Sequence, residues 1–195
     1  MKTLKPVIVT TTVILLTLIS CSSGPSSYEK EKVAREAAYE RELLQAFNKH
    51  MAFPMDPSAD IKITAYDLSE AWSGSNKTRA NLLYRYKTLQ VTGQMYKAGD
   101  FKEVRNGYRI TLFSTSHSGV KVYFPITAAE QLLYMETNGV MTPISYGDRA
   151  VAFGVVTVVG TCMGFDYTEL YDYYPYDNDY SGDFVTIYDA HFVTK

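Results

Sequence analysis

The sequence predicts a mainly β domain with helices, its strands wrapped into a small closed or half-closed barrel, and a helical segment ahead of it. Four observations carry that expectation. The run Val151–Phe165, VAFGVVTVVGTCMGF, is too long and too β-branched for a loop, and its glycines oppose a helix. Its apolar residues occupy both alternating registers, as in a strand covered on both faces. Gly154, Gly160 and Gly164 stand where such a strand has to bend, bulge or pass close to another backbone. Finally, the periodicity on either side of this run changes between that of strands and that of helices in the order three strands, a helix, the long strand, a loop and a last strand.

The chain opens on a segment that reads as processing signal. Lys2 and Lys5 form a charged start, and Val7–Ile19 is apolar but short for a membrane span. Leu18-Ile19-Ser20-Cys21 resembles the bacterial lipobox. That resemblance implies cleavage before Cys21, a diacylglyceryl thioether on its sulfur and an acylated, palmitate-type N-terminus, together more than enough hydrocarbon for stable anchoring. The alternative is a plain secretory peptide or N-terminal anchor with an incidental Cys. Ser22 stands where an Asp would favour inner-membrane retention, so the expected location is the bacterial envelope, on the outer membrane facing the periplasm.

Ser22–Ser27 is a short tether. Ser26 and Glu29 have capping-box spacing, and Val33, Ala37, Leu44, Phe47 and Met51 recur at helical intervals before Pro54 and Pro57. The helix packs on its own domain, stands as a stalk or meets a partner. A second helical pattern follows in Leu68, Ala71, Trp72, Ser75, Asn76, Ala80 and Leu83. From Lys87 the period becomes two: Leu89, Val91 and Met95 face one way, and Thr88, Gln90, Thr92 and Gln94 the other. Turn residues then separate a strand over Tyr108–Phe113 from one over Val120–Phe124, which Pro125 ends. Thr127 and Glu130 open a helix that stops at Asn138-Gly139. After the long strand, Phe184–Val193 closes the chain. This is the order of the OB-fold, a five-stranded Greek-key barrel with its helix between the third and fourth strands. The expected organisation is residues 1–20 leader, 21–60 lipidated Cys, tether and helix, and 61–195 OB-fold domain.

The residues also resemble a family. Ala65–Tyr86 followed by "YKTLQVTGQM", the run Gly160-Thr161-Cys162-Met163-Gly164 and the closing "VTIYDAHFV" are similar to the tRNA-anticodon-binding-like OB-fold proteins, mostly bacterial secreted or lipoprotein chains. The resemblance covers roughly Ile61–Lys195. It implies a fold and an envelope location rather than an activity. Family members often carry cysteines on the third and last strands, where this chain has Val122 and Asp189–Ala190.

Composition narrows the function. Removing Lys2 and Lys5 with the leader leaves 17 basic against 21 acidic residues, the wrong balance for a general polyanion binder. His50, His117 and His191 lie far apart with no metal-ligand spacing and read as surface or partly buried polar residues, and Cys162 reads as an inert buried thiol. No phosphate-binding glycine loop or nucleophile motif occurs in the sequence, so no catalytic residue is assigned.

The OB ligand face falls on the second and third strands. There Arg109 and Lys121, with Lys97, Lys102 and Arg105 in the first loop and Phe113 and Tyr123 as aromatic platforms, make the best case for an oligonucleotide. Against it stands the facing loop Asp166–Asp183, DYTELYDYYPYDNDYSGD, which has six acids and no Lys or Arg and would repel phosphates. Its six tyrosines, Tyr167, Tyr171, Tyr173, Tyr174, Tyr176 and Tyr180, offer rigid amphipathic area for a protein or glycan. Asp177, Asp179, Ser181 and Asp183 mimic the first half of an EF-hand, which makes Ca²⁺ the one candidate cofactor, although Tyr188 stands where the bidentate Glu belongs. A solvated acidic loop folded on the basic strands is the plainer alternative. The sequence therefore points to a membrane-anchored, non-enzymatic binding or assembly module whose partner is an envelope protein or glycan. An oligonucleotide binder, or an enzyme without a recognisable motif, is the alternative.

Overall fold

The computed structural model describes residues 26–72, 76–96, 102–104, 107–113, 119–125, 130, 135, 138–146, 149–164 and 184–193. Its first element, α1 (Ser27–Met51), starts at the expected capping box: Ser26 Oγ accepts the Glu29 N–H at 3.2 Å and the Glu29 carboxylate accepts the Ser26 N–H at 2.7 Å. The buried stripe keeps Phe47 and, half-buried at its end, Met51 from the periodicity, and otherwise differs from it. Val33 and Leu44 are exposed, and the face that meets the domain is Tyr39, Leu43, Ala46, Phe47 and His50. The reason is chemical. The sheet surface beneath is rich in Thr and Gln, so α1 turns the Tyr39 hydroxyl and the His50 ring toward it, groups that an apolar count does not credit.

A short strand that the sequence did not announce, β1 (Ile61–Thr64), leads into α2 (Ala65–Ala71), where Thr64 caps the helix by accepting the Asp67 N–H at 3.0 Å. The second helical pattern is two helices, since α3 (Lys77–Tyr84) is separate from α2. Trp72 and Ala80, both buried, join them to the core.

The expected strands all appear: β2 (Thr88–Tyr96), β4 (Gly107–Phe113), β5 (Gly119–Phe124), β7 (Arg149–Gly164) and β8 (Phe184–Phe192). Two more are added, β3 (Lys102–Val104) and β6 (Thr142–Tyr146). Between β5 and β6, Glu130, Met135 and Asn138 are helical, and Gly139 follows with φ +56°, the left-handed residue that ends a helix.

The architecture is mixed helix and strand around an open sheet with a helical N-terminal segment. Its path runs β1-β2-β4-β5-β8-β7-β6, with β3 beside β4 and an additional pairing between β2 and β7. Seven strands thus lie on the path where five were expected, and the path has free ends at β1 and β6. The β2–β4 seam is narrow, with the single register pair Gln94↔Phe113, whereas β2 pairs with β7 along its whole length from Thr88↔Thr161 to Tyr96↔Phe153.

The long strand is covered on both faces as its composition demanded. Val156, Val158 and Cys162 enter the main core with Leu89, Val91, Ile110, Val122 and Ile187, while Val155 and Val159 are buried on the other side. Gly160 sits opposite a bulge in β8, where Asp189 adopts φ +51° and the register steps between Val159/His191 and Thr161/Tyr188. A Cβ on Gly160 would lie 2.7 Å from the Tyr188 carbonyl oxygen, so only glycine allows the two strands to approach here.

Candidate functional site

Strand β2 buries both of its faces. Leu89, Val91 and Met95 point into the core, and Gln90, Thr92 and Gln94 point the other way, yet all six are buried. Buried amides and hydroxyls must find partners, and here α1, β6, β7 and the segment after α1 supply them. His50 Nδ1 lies 3.1 Å from Thr157 Oγ1 and its Nε2 lies 2.9 Å from Thr142 Oγ1; Thr157 Oγ1 in turn lies 2.9 Å from Thr92 Oγ1. Hydroxyls both donate and accept, so one chain of hydrogen bonds runs across β6, the helix and β7 to β2. Phe53 lies against the His50 ring, the two centroids 4.7 Å apart and the planes tilted by 43°.

The same layer continues on either side. Gln90 Oε1 accepts the Asp56 N–H at 2.6 Å and its Nε2 donates to the Pro54 carbonyl at 3.2 Å; Gln94 Nε2 donates to the Tyr39 hydroxyl at 2.6 Å. Lys62 Nζ donates to the Met51 carbonyl and to the Phe53 carbonyl at 2.7 Å, placing a cation at the C-terminal end of α1, where the helix dipole favours one. These groups face one another rather than solvent. Chemically the layer is a fastening that sets the position of α1.

The expected binding residues distribute unevenly. Arg109 and Lys121 do come together, as diagonal neighbours on one face: Arg109 is opposite Tyr123 and Lys121 opposite Thr111. That face is not an open ligand groove. Arg109, Thr111, Lys121 and Tyr123 are all buried, Lys121 to 2% exposure, so two desolvated cations are held where an exposed basic platform was expected. Tyr123 is correspondingly no stacking surface. Both cations have partners within the protein.

The other expected residues lie outside the described ones: Cys21, the tyrosines Tyr167, Tyr171, Tyr173, Tyr174, Tyr176 and Tyr180, and the Ca²⁺ set Asp177, Asp179, Ser181 and Asp183. Among the described residues no cluster of three or more His, Cys, Asp or Glu is arranged to hold a metal ion, and no helix is long and apolar enough to cross a membrane.

Cys162 is fully buried, and burial pushes its thiol from 9.0 up to about 12. A thiolate, the reactive form, is thereby suppressed. His191 differs from His50. It is exposed, with Nε2 3.6 Å from the Asp56 carboxylate, whose pKa is held below its usual value first by the Ser58 hydroxyl and amide and then by His191. A cavity of about 230 Å³ opens beside α3, lined by Ala71, Asn76, Arg79, Ala80, Leu83 and Tyr84. It is smaller than the roughly 300–1,000 Å³ of most small-molecule sites.

Reading residues one by one missed the layer under α1. The available signal was Thr157 within the apolar run of β7 and the Gln-x-Thr-x-Gln alternation of β2, polar residues at positions where strand burial was already expected. Comparison with protein-family models, with curated proteins and with solved structures finds no match.

Proposed function

We propose that this chain is a bacterial envelope lipoprotein, anchored through acylated Cys21, whose domain is a non-enzymatic OB-type module that binds or assembles an envelope protein or glycan. The observation that carries the reading is the division of α1. Every residue from Ser26 to Ala38 is exposed, whereas Tyr39 to His50 contributes the face fastened to the sheet. The exposed part extends the helix about 18 Å beyond the domain, at 1.5 Å per residue, directly after the tether that follows Cys21. A helix clamped at one end and free at the other, laced with ion pairs such as Arg35–Glu31 at 2.7 Å, suits a spacer between an anchor and a working domain.

The OB-type assignment is supported by pairing. Strand β2 pairs with both β4 and β7, β5 pairs parallel to β8, and β8 pairs with β7, so five of the strands form a cycle of neighbours within the larger sheet. The helical residues Glu130, Met135 and Asn138 lie between the third and fourth strands of that cycle, the OB position. With Arg109 and Lys121 buried, the module reading assigns partner contact to the Tyr167–Tyr180 segment rather than to the strand face.

Two measurements test this. Wild-type protein should incorporate labelled palmitate and enter the detergent phase on phase separation, and Cys21→Ala should incorporate none and leave an uncleaved or soluble product. Photo-crosslinkers placed at Tyr173 and Tyr176 in cells should capture a defined envelope component. No defined capture from either position would reject the segment as the contact surface.

A further inference from the structure

The fastening of α1 closes over an ionisable side chain. His50 is 1% exposed, with one ring nitrogen against Thr157 Oγ1 and the other against Thr142 Oγ1. A neutral imidazole carries one N–H, so one of these hydroxyls accepts from the ring and the other donates to it. A protonated ring donates at both nitrogens. Both threonines must then accept, and the hydroxyl that had donated to the ring loses its acceptor.

The charged neighbours offer an imidazolium little. The last turn of a helix attracts a cation, but Lys62 Nζ already meets the Met51 and Phe53 carbonyls there, so a proton on His50 adds a second positive charge at the same end. The carboxylates of the segment after α1 are turned elsewhere: Asp56 accepts from the Ser58 amide and hydroxyl and lies beside His191, and Asp60 accepts the Thr88 N–H. On α1 itself the adjacent charge is Lys49, exposed and also positive, and the nearest preceding acid, Glu42, is more than two turns back. Strands β6 and β7 reach the ring with Thr142 and Thr157, and β2 stands behind Thr157 with Thr92, hydroxyls throughout.

We infer that His50 makes the fastening acid-sensitive: when its imidazole takes up a proton, the second half of α1 lets go of the sheet while the main core stays folded. Burial disfavours the charged ring, so the released helix binds the proton more tightly than the docked one. Docking is therefore fully present above about pH 6.5, the ordinary histidine value, and is lost as pH falls below it. The release is local. Among the described residues of the main core none comes from α1, whose apolar contacts are the separate group of Tyr39, Leu43, Ala46 and Phe47 with Ile144 and Val155. The inference needs only the docking of α1 and holds with or without a lipid on Cys21.

Hydrogen exchange of the full chain, read as protection relative to free peptide amides, tests this at about pH 7.5 and about pH 5, on either side of the histidine range. Protection over the second half of α1, Tyr39 to Met51, should fall about tenfold at the lower pH, where one proton of pKa near 6.5 can contribute at most roughly thirtyfold. The β2 and β7 amides should keep theirs. His50→Gln, whose side chain stays uncharged, should abolish the fall, and His191→Gln should retain it, since His191 is exposed and lies beside Asp56. The His50 ring signal, followed by NMR in the wild type, gives a readout that needs neither variant to fold: the ring should stay uncharged for as long as the helix stays protected. Equal wild-type protection at both pH values, an equal fall in His50→Gln, a fall shared by the sheet amides, or a ring that charges near about 6.5 with α1 still protected overturns the inference.

Discussion

The two sides of the β2–β7 ribbon are buried to a similar degree and built from different chemistry. On the inner side Leu89, Val91, Val156 and Val158 meet other apolar side chains, and stability there follows from area removed from water and from close packing. On the outer side Gln90, Thr92, Gln94 and Thr157 meet α1 and the segment after it through directional bonds. Such bonds contribute little net energy each but are costly to leave unmade. The inner face therefore holds the domain together, and the outer face decides where the helix sits. On the spacer reading proposed above, position is what the outer face supplies.

The sharpest way to separate the faces is to damage the inner one. Leu89→Ala should cost about 2–5 kcal/mol in chemical denaturation, because a fully buried leucine leaves a cavity in the main core. A loss under 1 kcal/mol, roughly that of a surface change, would mean the inner face is not the main core. Alkali probes the same side. The folded thiol of Cys162 ionises only near about 12, against 9.0 for an ordinary one, so the unfolded chain loses this proton first. Its contribution to stability is intact below pH 9.0 and is lost as pH rises toward about 12. Wild type should show that alkaline slope in excess of Cys162→Ala; identical slopes would place the thiol in solvent.

A smaller effect is expected outside. Thr157→Val keeps the shape but removes the hydroxyl that joins His50 to Thr92, which should cost about 1–3 kcal/mol. The distribution of that loss matters more than its size. Amide exchange should speed up in the second half of α1 while the β2 and β7 amides stay protected. Uniform acceleration across α1 and the sheet would show that the two faces unfold as one.

This contrast also marks how far the sequence could be read. Strands β2, β4, β5, β7 and β8 were legible because alternation and length report burial directly, and the capping box at Ser26 reports a helix start locally. Strands β1, β3 and β6 were not. They have few residues, and β6 carries Pro143, a residue at home on an edge strand such as this one. The register of α1 was misread for the same reason that the outer layer was missed: hydrophobic periodicity weighs Val33 and Leu44 above Tyr39 and His50, although the surface waiting for the helix accepts hydrogen bonds. At the candidate site, the pairing that unites Arg109 with Lys121 was legible from strand alternation. Their burial was not, because it depends on what covers β4 and β5, and charge alone points to solvent.

The smallest expected effect belongs to the part of α1 that touches neither face. Ser26→Ala removes the acceptor for the Glu29 N–H and with it the reciprocal box, a local change of about 0.5–2 kcal/mol in helix stability. Residues Ser26–Ala38 are exposed throughout, so no tertiary contact of theirs compensates, and a free stretch this short is marginal as a helix in water. The first turns should fray, with faster amide exchange there and a modest loss of helical circular dichroism. The denaturation midpoint of the sheet should stay where it is, because the fastening begins at Tyr39 and runs through His50. A midpoint that falls with the cap would show that the free and fastened parts of α1 are one cooperative unit, and the division of the helix on which the spacer reading rests would be lost.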